Sequence, residues 1–174
     1  MNDTKRQAHV QNIAKRFQNE VLDQLESRDL QLIHADLNEH NVIVGPSSDG
    51  QMEIKGFIDF DDMQYSHRLL CLGVALGYLM MEAQNTKFDM IQACGFLLAG
   101  YQSEFSLEDS EIAKLLVTAK ARICQSLVIG LHQYQIHPDN EYLLYTQKAG
   151  WEVLEKLKLM SEREILESWK TILV

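Results

Sequence analysis

Between Lys5 and Ser27, apolar residues recur at steps of three and four, at Val10, Ile13, Ala14, Phe17, Val21, Leu22 and Leu25. This spacing predicts an amphipathic helix with one packing face and one charged face. The period then changes. Leu30 to Ile33 and Val42 to Val44 are short aliphatic runs, Gly45-Pro46-Ser47-Ser48-Asp49-Gly50 is dense in turn-forming residues, and Met52 to Ile58 reads as another strand. Two strands joined by that turn make a hairpin with polar loops at its open ends. After Asp62 the pattern is wholly helical: a buried run over 66–83, then helices over 88–104, 107–135, 139–158 and 161–172. The start signals are Ser66, Ser106 with Glu108 and Asp109 in the first turn, Asp139, and Ser161 with Glu164 in capping-box spacing. The reading is α+β, mostly helical, with a short hairpin followed by a helical bundle, in one domain over 1–174.

Composition narrows the chemistry. A hydrophobic fraction of 46%, a charged fraction of 24% and two prolines describe a globular chain. The net charge of −9, with its basic residues scattered among acidic ones, argues against a nucleic-acid partner. Cys71, Cys94 and Cys124 are widely spaced, odd in number and set partly in apolar runs, which predicts free thiols and a cytoplasmic, reducing home. The N-terminal stretch has no apolar core of a secretory signal. The apolar run from Leu69 to Met81 is shorter than the roughly 18 residues of a membrane span, so no membrane partner is expected. Its Gly73-x-x-x-Gly77 spacing predicts close helix packing. Trp151 and Trp169 fall on helical faces and read as core, and His132 and His137 read as surface or helix-end residues.

The chemistry concentrates in the two polar loops. The first reads His34-Ala35-Asp36-Leu37-Asn38-Glu39-His40-Asn41, an H-x-D-x-x-x-x-N pattern between two strands. The second, beyond the turn, reads Ile58-Asp59-Phe60-Asp61-Asp62. Phosphoryl transfer from a nucleotide needs a carboxylate to orient or deprotonate the acceptor hydroxyl, and oxygen ligands for Mg²⁺ on the phosphates. Asp36 suits the first role, Asn41 and Asp59 the second, and His34 that of an orienting residue. Two other readings stand beside this one: polar turns whose Asx side chains cap their own backbone, and a two-metal hydrolase site using Asp59, Asp61 and Asp62 with His34, His40 and His67.

Protein kinases carry H-R-D-x-x-x-x-N and D-F-G in this order on such a hairpin, and the aminoglycoside phosphotransferases and choline kinases carry H-x-D-x-x-x-x-N followed by Ile-Asp-Phe. The stretches HADLNEHNVIV and GFIDFDDMQYS resemble the latter family. Ala121 to Leu127, Asn140 to Leu143 and Gly150-Trp151 echo its tail, so the resemblance spans the chain. It implies a protein-kinase-like C-terminal lobe. Asp36 matches the catalytic aspartate, Asn41 and Asp59 the Mg²⁺ ligands, and His34 the motif histidine. The implied reaction moves the γ-phosphate of GTP or ATP to the hydroxyl of a small amine-bearing metabolite, with 5-hydroxylysine first among candidates that include ethanolamine, choline and an aminoglycoside.

Three positions depart from that pattern. Ala35 replaces a usual Gly, and its methyl group disfavours any positive φ the loop requires. Asp61 also stands where Gly is usual, and Cys71 where an acidic residue often supports the catalytic loop. The segment up to Ser27 contains no glycine and so is not the glycine-rich loop that covers the phosphates. The expectation is therefore a lobe whose N-terminal nucleotide-binding partner lobe is absent. The rival reading is a non-catalytic truncated isoform or pseudokinase half acting as a binding module, with its interlobe surface exposed as an apolar patch.

Overall fold

Helix α1 spans Asp3–Glu20 in a computed structural model that describes residues 3–25 and 30–173. It ends earlier than its periodicity predicts. The chain breaks at Val21, which turns fully into the core, and makes one 3₁₀ turn over Leu22–Gln24. The predicted helix end at Ser27 lies outside the described residues.

Four short strands follow: β1 (Leu30–Ile33), β2 (Val42–Pro46), β3 (Met52–Phe57) and β4 (Gln64–His67). The predicted hairpin is β2–β3, antiparallel, with an irregularity between Ile43 and Val44. Its turn closes with Ser47 N–H donating to the Gln51 carbonyl at 2.7 Å, and Gly50 supplies the positive φ of 82° that a side chain would resist. β4 corrects the expectation of helix alone after Asp62. It pairs antiparallel with β1, Leu30 opposite His67 and Ile33 opposite Gln64. The four residues Gln-Tyr-Ser-His carry no apolar alternation, so their strand state comes from this long-range pairing.

The remainder is helical: α2 (Arg68–Glu82), α3 (Met90–Glu104), α4 (Asp109–Ile136), α5 (Gln147–Leu159) and α6 (Glu162–Ile172). The starts differ from the predicted caps. Ser66 belongs to β4, so α2 begins after His67. Asp89 caps α3 by accepting from Ile91 and Gln92 N–H, each at 2.9 Å. Glu108, not Ser106, starts α4, and its N–H donates to the Glu111 carboxylate at 3.0 Å. A 3₁₀ turn at Glu141–Leu144 delays α5, and Ser161 precedes α6 without a side-chain cap.

The core lies among α2 to α6. Leu76, Met80, Leu98, Leu115, Ile123, Leu127, Leu154, Leu157 and Trp169 are all fully buried, and the Trp169 indole N–H donates to the Ile91 carbonyl at 2.9 Å. Among the described residues, no helix is long and apolar enough to cross a membrane. The Gly73-x-x-x-Gly77 stripe is where α2 and α4 meet. A Cβ on Gly73 would fall 2.1 Å from Thr118 Cγ2, and one on Gly77 would fall 3.2 Å from the Ala119 carbonyl and 3.5 Å from Arg122 Cβ. This approach places Tyr78 and Arg122 side by side at the edge of the bundle nearest the β1–β2 loop.

Candidate active site

The two polar loops are joined at Ile58. Its N–H donates to the Asn41 carbonyl at 3.1 Å, and its own carbonyl accepts from His34 Nε2 at 2.9 Å. The carbonyl only accepts, so His34 carries its proton on Nε2 here. The Phe60 ring packs on His34 with centroids 5.0 Å apart. The structure thus brings His34, Asp36, Asn41 and Asp59 to one edge of the hairpin.

Asp36 is held from three directions. Arg122 Nη2 donates to Oδ1 at 2.9 Å, and Asn38 Nδ2 donates to Oδ2 at 2.9 Å. Asn41 Nδ2 reaches both the Asp36 backbone carbonyl at 2.9 Å and Oδ2 at 3.3 Å. Asn38 also accepts from the His40 N–H at 2.9 Å, which starts the 3₁₀ turn Glu39–Asn41 and buries Asn41. The result is an oriented carboxylate whose Oδ1 keeps a lone pair for a further donor.

Two backbone positions in these loops are left-handed: Ala35 at φ 66° and Asp59 at φ 61°. Asp tolerates this region through local hydrogen bonding, whereas Ala does not. The loop therefore adopts the conformation that Ala35 was expected to oppose, and the strain stands immediately before Asp36.

Arg122 and Tyr78 were missed in the sequence as site residues. Arg122 Nη2 also donates to the Tyr78 hydroxyl at 2.8 Å, Nη1 donates to Gln125 Oε1 at 2.8 Å, and the guanidinium lies 5.1 Å from the Tyr78 ring centroid. Burial pushes the Tyr78 hydroxyl above its ordinary pKa, an effect that the Arg122 charge partly offsets. The available signal was the single arginine of a long helix, which needs a carboxylate partner to be half-buried. Cys71, Cys94 and Cys124 are free thiols, and burial pushes Cys124 up to about 12.

The histidines of the hydrolase reading do not converge. His67 sits opposite Leu30, at the end of the β1–β4 pair remote from His34. Among the described residues, no group of three or more His, Cys, Asp and Glu is arranged to hold a metal ion. Asp59 and Asp61 are exposed, and Asp62 lines a broad groove between α1, β4 and α4.

Residues 2–104, which include both loops, match the phosphotransferase enzyme family. Hydroxylysine kinase of Bos taurus is 32% identical over 165 residues, covering 92% of this chain and 43% of that protein. The Mus musculus hydroxylysine kinase is 33% identical over 165 residues, with the same 92% and 43%. That of Xenopus laevis is 31% identical over 173 residues, covering 96% and 45%. The chain spans less than half the length of these relatives.

Proposed function

The chain belongs to the phosphotransferase enzyme family, and from that premise we propose that it forms the catalytic lobe of a small-molecule kinase, moving the γ-phosphate of GTP or ATP to the hydroxyl of an amine-bearing metabolite. 5-Hydroxylysine is the first candidate substrate, because the relatives are named for it. The observation that carries the reading is the junction at Ile58, which sets the Asp36–Asn41 turn beside Asp59 within the family-matched segment.

Asp36 receives the substrate hydroxyl and accepts its proton as the hydroxyl oxygen bonds to the γ-phosphorus and the bond from that phosphorus to the β-phosphate oxygen breaks, releasing the nucleoside diphosphate. Arg122 and Asn38 fix the carboxylate so that the hydroxyl meets it in one orientation. The residues present fit Mg²⁺. The Asn41 amide nitrogen is committed to Asp36, which leaves its oxygen as the free donor, and the Asp59 carboxylate is exposed in the adjoining loop. Two protein oxygens are the number this ion takes beside nucleotide phosphates, and when bound it neutralises their charge. His34 holds the two loops in register. The three free thiols suit the cytoplasm.

A second reading has its own observation. Leu32, Val44, Met52, Ile54, Phe57 and Tyr65 on the strands, and Phe60 in the adjoining loop, are exposed, as in a binding module whose apolar face meets another body. One experiment separates the two. In the full-length protein, Asp36→Asn is expected to lower kcat for 5-hydroxylysine phosphorylation by about 10²–10⁴-fold with the KM for nucleotide unchanged. Turnover close to that of the parent would sink the assignment of Asp36.

A further inference from the structure

Within its own loop the Asp36 carboxylate accepts from Asn38 and Asn41, and among the described residues its one hydrogen bond from the helical bundle comes from Arg122. That link runs through a single atom. Arg122 Nη2 carries two hydrogens, and it donates both to Asp36 Oδ1 at 2.9 Å and to the Tyr78 hydroxyl at 2.8 Å. A long arginine stem turns freely unless its planar fork is held. Gln125 takes Nη1 at 2.8 Å, but it rides on α4 with Arg122 and gives no outside reference. Tyr78 comes from α2, between the fully buried Leu76 and Met80, and it holds the fork twice. Its hydroxyl accepts from Nη2, and its ring centroid lies 5.1 Å from the guanidinium carbon. Gly77, the residue before it, lets α4 come this close, since a Cβ there would stand 3.2 Å from the Ala119 carbonyl and 3.5 Å from Arg122 Cβ.

We propose that Tyr78 is a positioning residue for phosphoryl transfer, locating the Asp36 carboxylate against the helical bundle by clamping the Arg122 guanidinium. The proposal rests on the kinase reading of Asp36. Asn38 and Asn41 move with the loop that carries Asp36, so they shape the carboxylate without locating it. The strands around that loop expose their apolar residues and supply little packing of their own. The location therefore comes from α2, through the Tyr78 hydroxyl and Arg122 Nη2. In-line transfer makes that location matter, because a displacement of about 1 Å costs on the order of 10²-fold in rate. Charge alone does not supply it. A lysine at position 122 would bring an ammonium to Asp36 but lacks the planar fork that serves a carboxylate and a hydroxyl from one nitrogen.

The test measures steady-state phosphorylation of 5-hydroxylysine by the full-length protein. Tyr78→Phe keeps the ring and its packing, removes the acceptor, and is expected to lower kcat about ten-fold with the KM for nucleotide unchanged. Arg122→Lys keeps the charge and is expected to lower kcat about 10²-fold. In the Asp36→Asn background Tyr78→Phe is expected to cost nothing further, because its effect passes through that carboxylate. In this chain alone, NMR is expected to resolve the Arg122 Nη–H resonances separately in the parent and to find them averaged by rotation in Tyr78→Phe. A parental kcat in Tyr78→Phe or Arg122→Lys, a loss carried by KM alone, or resonances still resolved in Tyr78→Phe would each overturn the clamp. So would an undiminished further loss in the Asp36→Asn background, which is the mark of a fold defect. All of those outcomes leave the kinase reading standing as long as Asp36→Asn itself is inactive. Near-parental turnover of Asp36→Asn removes that reading and the positioning role with it.

Discussion

Trp169 and Phe60 are both large aromatics, yet Trp169 is 0% exposed in the helical bundle while Phe60 is 51% exposed beside the candidate active site. The same contrast holds for whole elements. Helices α2 to α6 bury a continuous apolar core, whereas every apolar residue of β3 is open to solvent. Stability and chemistry are thus divided between two halves. The strands hold the loops by backbone pairing, and the bundle reaches the loops through Arg122 and Tyr78. A half that carries the candidate site residues on little buried surface depends on the other half for its place, and it presents its apolar face to whatever covers it.

The largest effect that tests this division is truncation of a side chain in each half. Trp169→Ala removes a fully buried ring and its hydrogen bond to Ile91, and is expected to cost about 3–5 kcal/mol. Ile54→Ala on the exposed face of β3 is expected to stay within about 0.5 kcal/mol. Urea unfolding of the purified chain measures both. A comparable cost for Ile54→Ala would mean that its face is covered in solution, and the contrast between the halves would fail.

The two halves were also unequally legible. Helices with a long apolar period, such as that around Leu115, Ile123 and Leu127, declared themselves, because burial of one face is written every three or four residues. The loops declared themselves through residue types at fixed spacing, His34, Asp36, Asn41 and Asp59. What stayed hidden was set by long-range pairing. β4 is a strand only because β1 lies beside it, and Arg122 is a site residue only because Gly73 and Gly77 let α4 approach α2. The placement of Tyr142 and Tyr145 on the cavity that Asp36 also lines likewise depends on a turn of the chain after α4 that no local spacing records.

A smaller effect probes the strain in the strand half. Ala35 holds φ at 66°, a region that disfavours any Cβ by about 1–2 kcal/mol. Glycine removes that cost but loses more freedom on folding, so Ala35→Gly is expected to gain about 1 kcal/mol. Ala35→Val adds a branched side chain at the same φ and is expected to lose stability. Equilibrium unfolding of the two variants gives the sign. A loss for Ala35→Gly would mean that the left-handed turn before Asp36 is not strained, and that the strand half stores less than its geometry implies.

The smallest effect lies in the bundle and asks whether its ionic contacts matter beside its core. Glu162 at the start of α6 accepts two hydrogen bonds from Arg16 of α1, at 2.7 and 3.0 Å, and one from Lys120 of α4 at 2.5 Å. Arg16 first and Lys120 second hold its carboxyl at about 2, against an ordinary 4.5. A lowered native pKa stabilises the fold above the ordinary value and loses that contribution as pH falls from about 4.5 towards 2. The Glu162 side chain is 37% exposed, so solvent screening holds the contribution under about 1 kcal/mol. Glu162→Gln lacks the titrating group. Its thermal midpoint is expected to start lower at neutral pH, with Lys120 left buried beside an amide, and to fall less steeply than that of the parent between pH 4.5 and 2. Parallel pH profiles for the two proteins would show that the contact joining α1, α4 and α6 contributes geometry and no measurable stability.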